Sequence, residues 1–437
     1  MRSNRAELLA EERRKSAMKV PVTAFIAIRY LLGRAHEGGR YLKGAAAGIA
    51  LSLIPIIVTL IVADGMIQGI TDRYLELGTG HLQVYDYMRL GLAKARAVIA
   101  QTEGVRSVWQ ERHGLGVVIG KNGKTGATLR AVDPAFFTDP GSNLYLITVA
   151  GSTHFENTRE VLLGEALAQS IGAQIGDTIR IMTIRVSLDG RNIPRMTPFK
   201  LRGIISSGYR ELDALWCLMS LQDGEEVLPA ELSTTYLTVK IDEPYTSSTV
   251  LSHRLSAALG AGYDVYTWEK LQHSQYSSYQ STRQLLLFIM ALIVIVAAVN
   301  VSAATSMLAI ERTRDIAILK ASGTKPAQVE RIFLCAALVT GITGALIGIS
   351  SGLFIGIFIN EFIHTLEAVL SFFSHLFKGD TVTILDPGIY LETIPIIIDW
   401  ETVWLIALFT VICSVFASWI PAHRAGKLSP IAILRKY

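Results

Sequence analysis

The chain has little charge for its length. Only 18% of its 437 residues are Asp, Glu, Lys or Arg, whereas ordinary soluble domains carry roughly 25%. Half of the residues are apolar, and the mean hydropathy is +0.38. That composition excludes a disordered chain and disfavours a plain soluble enzyme. A net charge of +4 gives no support for nucleic-acid binding. There are only three cysteines. Cys335 and Cys413 fall in apolar runs and Cys217 alone has polar surroundings, so the extramembrane part has no disulfide framework.

Catalytic groupings are scarce too. His81, His113, His154, His253 and His273 are scattered, with no zinc-ligand spacing, and no Gly-x-Ser-x-Gly occurs. Glu156, Glu160 and Glu165 read as solvated or structural carboxylates rather than an acid–base pair. Gly123-Lys124-Thr125 resembles the end of a nucleotide-binding P-loop, but that pattern needs glycine at the place held by Val118. The strand–turn–strand surroundings also lack the helix whose N-terminus would hold phosphate. No ATP site is therefore expected on this chain, and no metal site.

What is present is apolar residues gathered into four uncharged blocks, at 44–63, 285–304, 332–359 and 403–420. Each approaches or exceeds the ~20 residues that cross ~30 Å of hydrocarbon. Basic residues set the orientation. They crowd the segment before the first block, the link between the second and third (Arg312, Arg314, Lys320, Lys325, Arg331) and the tail (Arg424, Lys427, Arg435, Lys436). The link between the third and fourth carries Lys378 against Glu367, Asp380, Asp386, Glu392 and Asp399. Both termini and the second link are thus expected in the cytoplasm.

The expected organisation is a cytoplasmic N-terminal segment 1–43, span one 44–70, an external domain 71–280, span two 283–308, a cytoplasmic link 309–331, span three 332–360, a short external link 364–400, span four 401–421 and a tail 422–437. No short signal-peptide core precedes the first span. Residues 22–32 fit either an interfacial helix or a plain run-in. Residues 111–132 read as a hairpin with a polar turn at 121–126, and 177–188, 199–208 and 234–241 read as strands. Helical periodicity marks 158–173, 221–228 and 246–259. Residues 268–284 read as a polar helical stalk into span two. The fold class is an α-helical membrane protein with four transmembrane helices plus a large extracytoplasmic α+β domain inserted between helices 1 and 2.

The sharpest local signal is 308–334. Gly323 ends a short helix, and Lys325-Pro326 starts another that runs on into span three. From spacing alone this is either a rigid projection that receives force from a soluble partner or an ordinary connector. In span three, Gly341, Gly344, Gly348, Gly352 and Gly356 line one side. The plain reading is packing within the subunit; the sharper one is a face against span four or a partner subunit. Asn300 is a lone polar group in span two, read as a helix-packing residue over a lipid-cavity one, and Pro55 is expected to kink span one.

Several stretches carry a family resemblance: FIAIRYLLGR, GHLQVYDY, LLGEALAQSIGAQIGDTIRIM, GIISSGYRELDALWCLMSL, IVIVAAVNVSAATSMLAIERTRDIAILKASG and WIPAHRAGKLSPIAILRKY. In this order they resemble the permeases of type VII ABC transporters, and more narrowly the transmembrane subunits of the lipoprotein-releasing system. The resemblance covers the whole chain. It implies a permease driven by a cytoplasmic ATPase dimer on a separate chain, which binds the ATP and Mg, so this chain holds no cofactor. It further implies a second permease copy or related permease, a lipoprotein substrate, a periplasmic lipoprotein carrier, contact with membrane lipid, and no nucleic acid. It places Glu311, Arg312, Arg314, Asp315, Ile316, Ala317, Ile318, Leu319, Lys320 and Gly323 in the ATPase-coupling link, with Ile316, Ile318 and Leu319 as apolar anchors and the cations as partners for acidic groups. Asp64-Gly65 departs from the family's Asn-Gly after span one. The implied place is the bacterial inner membrane. Alternatives within the superfamily are activation of a periplasmic cell-wall hydrolase, or efflux.

Overall fold

The computed structural model describes residues 38–186, 191–376 and 394–428. The proposed interfacial helix at 22–32 and the tail from 429 onward lie outside the described residues. The helices are α1 (Gly38–Arg73, continued by a π-helical turn Tyr74–Thr79), α2 (Leu92–Ala100), α3 (Ala135–Thr138), α4 (Pro140–Tyr145), α5 (Glu165–Ile171), α6 (Arg210–Asp213), α7 (Leu221–Val227), α8 (Ser248–Leu259), α9 (Trp268–Leu271), α10 (His273–Glu311), α11 (Thr313–Ala321), α12 (Pro326–Ile357), α13 (Ile359–Leu376) and α14 (Trp400–Lys427). The strands are β1 (Leu82–Tyr85), β2 (Val105–Ile119), β3 (Lys124–Val132), β4 (Ile147–Gly151), β5 (Glu160–Gly164), β6 (Thr178–Val186), β7 (Asn192–Ser206), β8 (Trp216–Ser220), β9 (Ser233–Ile241) and β10 (Asp264–Thr267).

Two compact units result. One takes the described parts of Met1–Asp64, Thr282–Phe362 and Ile396–Tyr437. The other takes those of Gly65–Ser281 and Ile363–Pro395.

The first unit is a helix bundle. Helices α1, α10, α12 and α14 are each long and apolar enough to cross a membrane. Their shared core includes Ile49, Leu53, Ile57, Val294, Val301, Ala345 and Ile406. Phe288, Val296, Phe354, Leu405 and Phe416 remain exposed on the bundle's outside, as side chains facing lipid would. The helices overrun the apolar blocks: α1 starts before 44, α10 starts ten residues before 283, and α14 ends at Lys427. An apolar run marks only the hydrocarbon-facing part of a helix, and backbone hydrogen bonding continues through polar residues beyond it. The 364–400 link begins inside α13, an amphipathic helix that follows α12 almost directly.

The second unit is built on a mixed ten-stranded sheet in the order β10-β1-β9-β2-β3-β8-β5-β7-β4, with β6 pairing to β2 and β7. The β3–β8 and β5–β7 pairs are parallel and the rest antiparallel. Helices α2 and α8 pack through Ala95, Ile99, Leu251 and Leu255 onto Val84, Leu237 and Val239. Helices α5 and α7 cover a second core around Leu129, Ile181, Phe199 and Met219. The 111–132 hairpin forms with Ile119 opposite Lys124, so its turn is 120–123 and Lys124-Thr125 lie in a strand. Within 158–173 only Glu165–Ile171 is helical; Glu160–Gly164 is strand β5, buried at every position. A strand covered on both faces reads as an unbroken apolar run, which periodicity cannot tell from a buried helix.

Candidate functional site

The link between α10 and α12 forms a helix, a turn and a helix. Gly323 takes φ +94°, and Lys325 precedes Pro326 at the start of α12, its N–H received by Gln328 Oε1 at 2.9 Å. The turn residue needs a positive φ that glycine adopts without strain. Of the residues assigned to this link, Ile316 is buried against Leu42, Leu308, Val329, Phe333 and Ala422, and Ala317 is buried as well. They pack the protein's own interior, so Ile316 cannot be an anchor for a partner. Ile318 is 51% exposed, Arg314 is exposed and Leu319 is half-buried. Arg312 pairs with Asp315 at 3.1 Å. Glu311 is half-buried, with Oε2 out of solvent and without a hydrogen bond.

Lys320 departs furthest from its expected role. Its ammonium donates to the carbonyl oxygens of Gly426 at 2.7 Å and Leu428 at 2.6 Å. The last carbonyls of a helix have no intrahelical donor, and they form the negative end of its dipole. Lys320 therefore caps α14 instead of waiting for an acidic partner. Nearby, Glu330 accepts from Trp419 Nε1 at 3.1 Å and lies 3.2 Å from His423 Nδ1.

The glycine face of α12 packs within the chain, but against α1 rather than span four. A Cβ at Gly344 would sit 2.8 Å from Ile49 Cβ, at Gly348 2.8 Å from Leu53 Cβ, and at Gly352 2.8 Å from Ile57 Cβ. One at Gly356 would meet Ile61 Cδ1. Only Gly341 faces α14, where Ser414 lies opposite. Buried Thr305 and Ser418 hydroxyls meet at 3.1 Å between α10 and α14. Asn300 is exposed rather than packed, its Nδ2 4.0 Å from where a Cβ of Gly48 would stand.

At the opposite ends of these helices, Arg283 of α10 stands between Asp64 of α1 and Asp399, the N-cap of α14. One guanidinium nitrogen donates to Asp64 Oδ2 at 3.2 Å and to Asp399 Oδ2 at 2.5 Å. Nε lies 2.9 Å from Asp64 Oδ1 without its N–H directed at that oxygen. Asp399 Oδ1 accepts from the backbone N–H groups of Glu401 and Thr402, and its Oδ2 accepts from Thr402 Oγ1 at 2.7 Å. The Asp64 that departs from the family pattern thus has a specific cation.

Within the inserted domain, the carbonyls released by the π-turn after α1 are taken by two buried cations. Lys240 of β9 donates to Leu75 O and to Glu76 Oε2, the latter at 3.0 Å. Arg130 of β3 donates to Leu77 O at 2.6 Å, Gly78 O at 3.3 Å and Glu111 Oε2 at 2.9 Å. Burial would raise the Glu76 carboxyl, but the His81 hydrogen bond and the Lys240 charge outweigh it and hold the group at about 2. Burial likewise works against Glu111, whose pKa the Arg130 charge holds well below the usual range. Burial lowers His81 and His113, and brings Lys240 down to about 8. Burial pushes the Cys217 thiol up to about 12, which makes it unreactive.

The histidines that look scattered in sequence therefore divide, two of them joining these networks. The available signal was a lysine in an inward-facing stretch of β9, where residues 236–241 are all buried. Glu160 is buried and accepts from the N–H groups of Glu156 and Asn157, a structural role. Among the described residues, no three His, Cys, Asp or Glu side chains are grouped to hold a metal ion.

Residues 44–252 match the MacB-like periplasmic core domain, and residues 287–430 match the FtsX-like permease C-terminal family. The lipoprotein-releasing system transmembrane protein LolC of Xylella fastidiosa is 26% identical over 433 residues, covering 95% of this chain and 99% of that protein. The LolE protein of Haemophilus influenzae is 24% identical over 289 residues, covering 66% of this chain and 67% of its own length. Among solved structures, the periplasmic region of MacB from Actinobacillus actinomycetemcomitans aligns with a TM-score of 0.31 at 14% identity, over 46% of this chain and 95% of that one.

Proposed function

We propose that this chain, which matches the MacB-like periplasmic core domain over 44–252 and the FtsX-like permease C-terminal family over 287–430, is the membrane subunit of a lipoprotein-releasing ABC transporter. It extracts lipid-anchored proteins from the inner membrane and passes them to a periplasmic carrier. ATP and Mg bind a separate cytoplasmic ATPase dimer, and a second permease, identical or related, completes the membrane part. The termini and the α11 link face the cytoplasm, and the inserted domain faces the periplasm, a reading that the distribution of basic residues supports.

The observation that carries this reading is similarity along nearly the whole of both chains to a lipoprotein-releasing subunit. The geometry supports it. Helix α11 shows the ATPase a small surface of Ile318, Leu319 and Arg314, while Lys320 and Ile316 fasten it to the bundle. Closing of the ATPase dimer then pushes a rigid body and not a loose connector.

The test is depletion followed by membrane fractionation. Outer-membrane lipoproteins accumulating in the inner membrane, with cell separation and drug resistance unchanged, is the expected result. Normal lipoprotein sorting with chained or drug-sensitive cells would move the function to hydrolase activation or efflux.

A further inference from the structure

Arg283 is one cation shared by two carboxylates on two other helices. Asp399 is itself fixed, because the same carboxylate caps the first turn of α14. Asp64 lies inside α1, where it has no helix terminus to serve. Without Arg283, two carboxylates would face each other at the end of the bundle with no counter-charge, and each would drive the helix ends apart. At the other end of α14, Lys320 holds the α11 link. Helix α14 does not enter the inserted domain, whereas α1 and α10 lead directly into it. The two cations thus complete a route from the link, along α14, to both helices that reach the domain.

We infer that Arg283 is a positioning residue that fastens the domain-side ends of spans one, two and four, so that they move together and displacement of the α11 link, which α10 receives directly, also travels along the fourth span and reaches α1. This rests on the proposed function, and it adds a route that the coupling link alone does not supply. The joint stays closed through the cycle. Its loss uncouples transport from ATP hydrolysis and leaves hydrolysis running.

The test replaces the charges by a reversible covalent tie. Cys335 and Cys413 are changed to Ala, Arg283→Cys and Thr402→Cys are introduced so that the bridge ties α10 to α14 where Arg283 reaches Thr402 and leaves the Asp399 cap in place, and the full complex with its ATPase is reconstituted in liposomes. A short bis-methanethiosulfonate bridges the two thiols, and a reductant removes it. Bridged complex is expected to release lipoprotein like the parent. Reduced complex is expected to lose at least about fivefold in release per ATP, the lower end of typical coupling between sites. Release blocked by the bridge and restored by reduction would overturn the inference, because the joint would then have to open. Equal release in both states would overturn it as well.

A second readout does not depend on lipoprotein. Nitroxides at the exposed positions Leu285 and Trp404, on α10 and α14, report the distance between these helix ends. A single narrow distribution with and without a non-hydrolysable ATP analogue, broadened by Arg283→Gln, is expected. A distribution that Arg283→Gln leaves unchanged, or one that the analogue splits in the parent, overturns the joint. If the parent complex releases no lipoprotein, the functional reading falls, and these distances alone decide the inference.

Discussion

Lys320 Nζ donates to the carbonyl oxygen of Gly426 at 2.7 Å, so a cation in the connecting link closes the last turn of the fourth span. The link is thereby part of the bundle, although its sequence reads as an exposed, mixed-charge connector.

Replacing Lys320 with Met keeps the length of the stem and removes the donors. Two carbonyls at the end of α14 are then left to water, and a hydrogen bond to a charged group is worth about 1.5–3 kcal/mol at most, less at this half-buried site. Faster hydrogen exchange in 313–321 and 420–428 together is expected, with Lys320→Arg close to the parent. Unchanged exchange in the Met variant would show that the cap is idle.

The glycine face of α12 makes a graded prediction. Gly348→Ala places a methyl 2.8 Å from Leu53 Cβ and 2.9 Å from Ala50 Cα, where backbone must move. A loss of about 1–3 kcal/mol is expected from such overpacking. Gly356→Ala meets only the far end of Ile61, which can turn away, and alanine favours the helix by up to about 1 kcal/mol. Denaturation of the purified chain in mixed micelles ranks the two; equal midpoints would contradict the close approach of α1 and α12.

Arg130 and Glu111 form a buried pair within the domain, and both are almost completely out of solvent. Arg130→Met leaves the buried Glu111 carboxylate without its guanidinium, though still held by Trp109, Thr238 and His113, and a cost of about 3 kcal/mol, the lower end for breaking a buried pair, is expected. Adding Glu111→Gln to it should recover part of that loss. Urea unfolding followed by tryptophan fluorescence measures both, and a double variant no better than Arg130→Met would refute the pairing.

Acid should weaken the domain in two stages. His81 and His113 are held below the ordinary 6.5 by burial, so below 6.5 the unfolded chain binds protons that the folded one refuses. Glu76, at about 2 against an ordinary 4.5, adds a second loss as pH falls through that interval, with Glu111 acting in the same direction. The thermal midpoint should fall between pH 7 and 5, and more steeply below 4.5. A midpoint independent of pH from 7 to 4 would exclude this network as a source of stability.

The sequence by itself determined the four spans, the insertion of a mixed domain after the first, and the helix–turn–helix of the link. These follow from local quantities: the length of an apolar run, the period of apolar residues along a strand or helix, and glycine or proline at a helix end. It also marked the glycine face of α12, since spacing by four residues puts side chains on one side of a helix whatever lies opposite. Only the tertiary structure decided that α1 lies opposite. The same holds for the cations. Lys320, Arg283, Arg130 and Lys240 carry no local sign of what they meet, because their partners stand on other helices and strands far along the chain. A charge in sequence reads as solvated until the fold brings to it a carboxylate or an unpaired carbonyl, and here the fold does so at the end of a span, between three spans, and beneath the turn that leads into the domain.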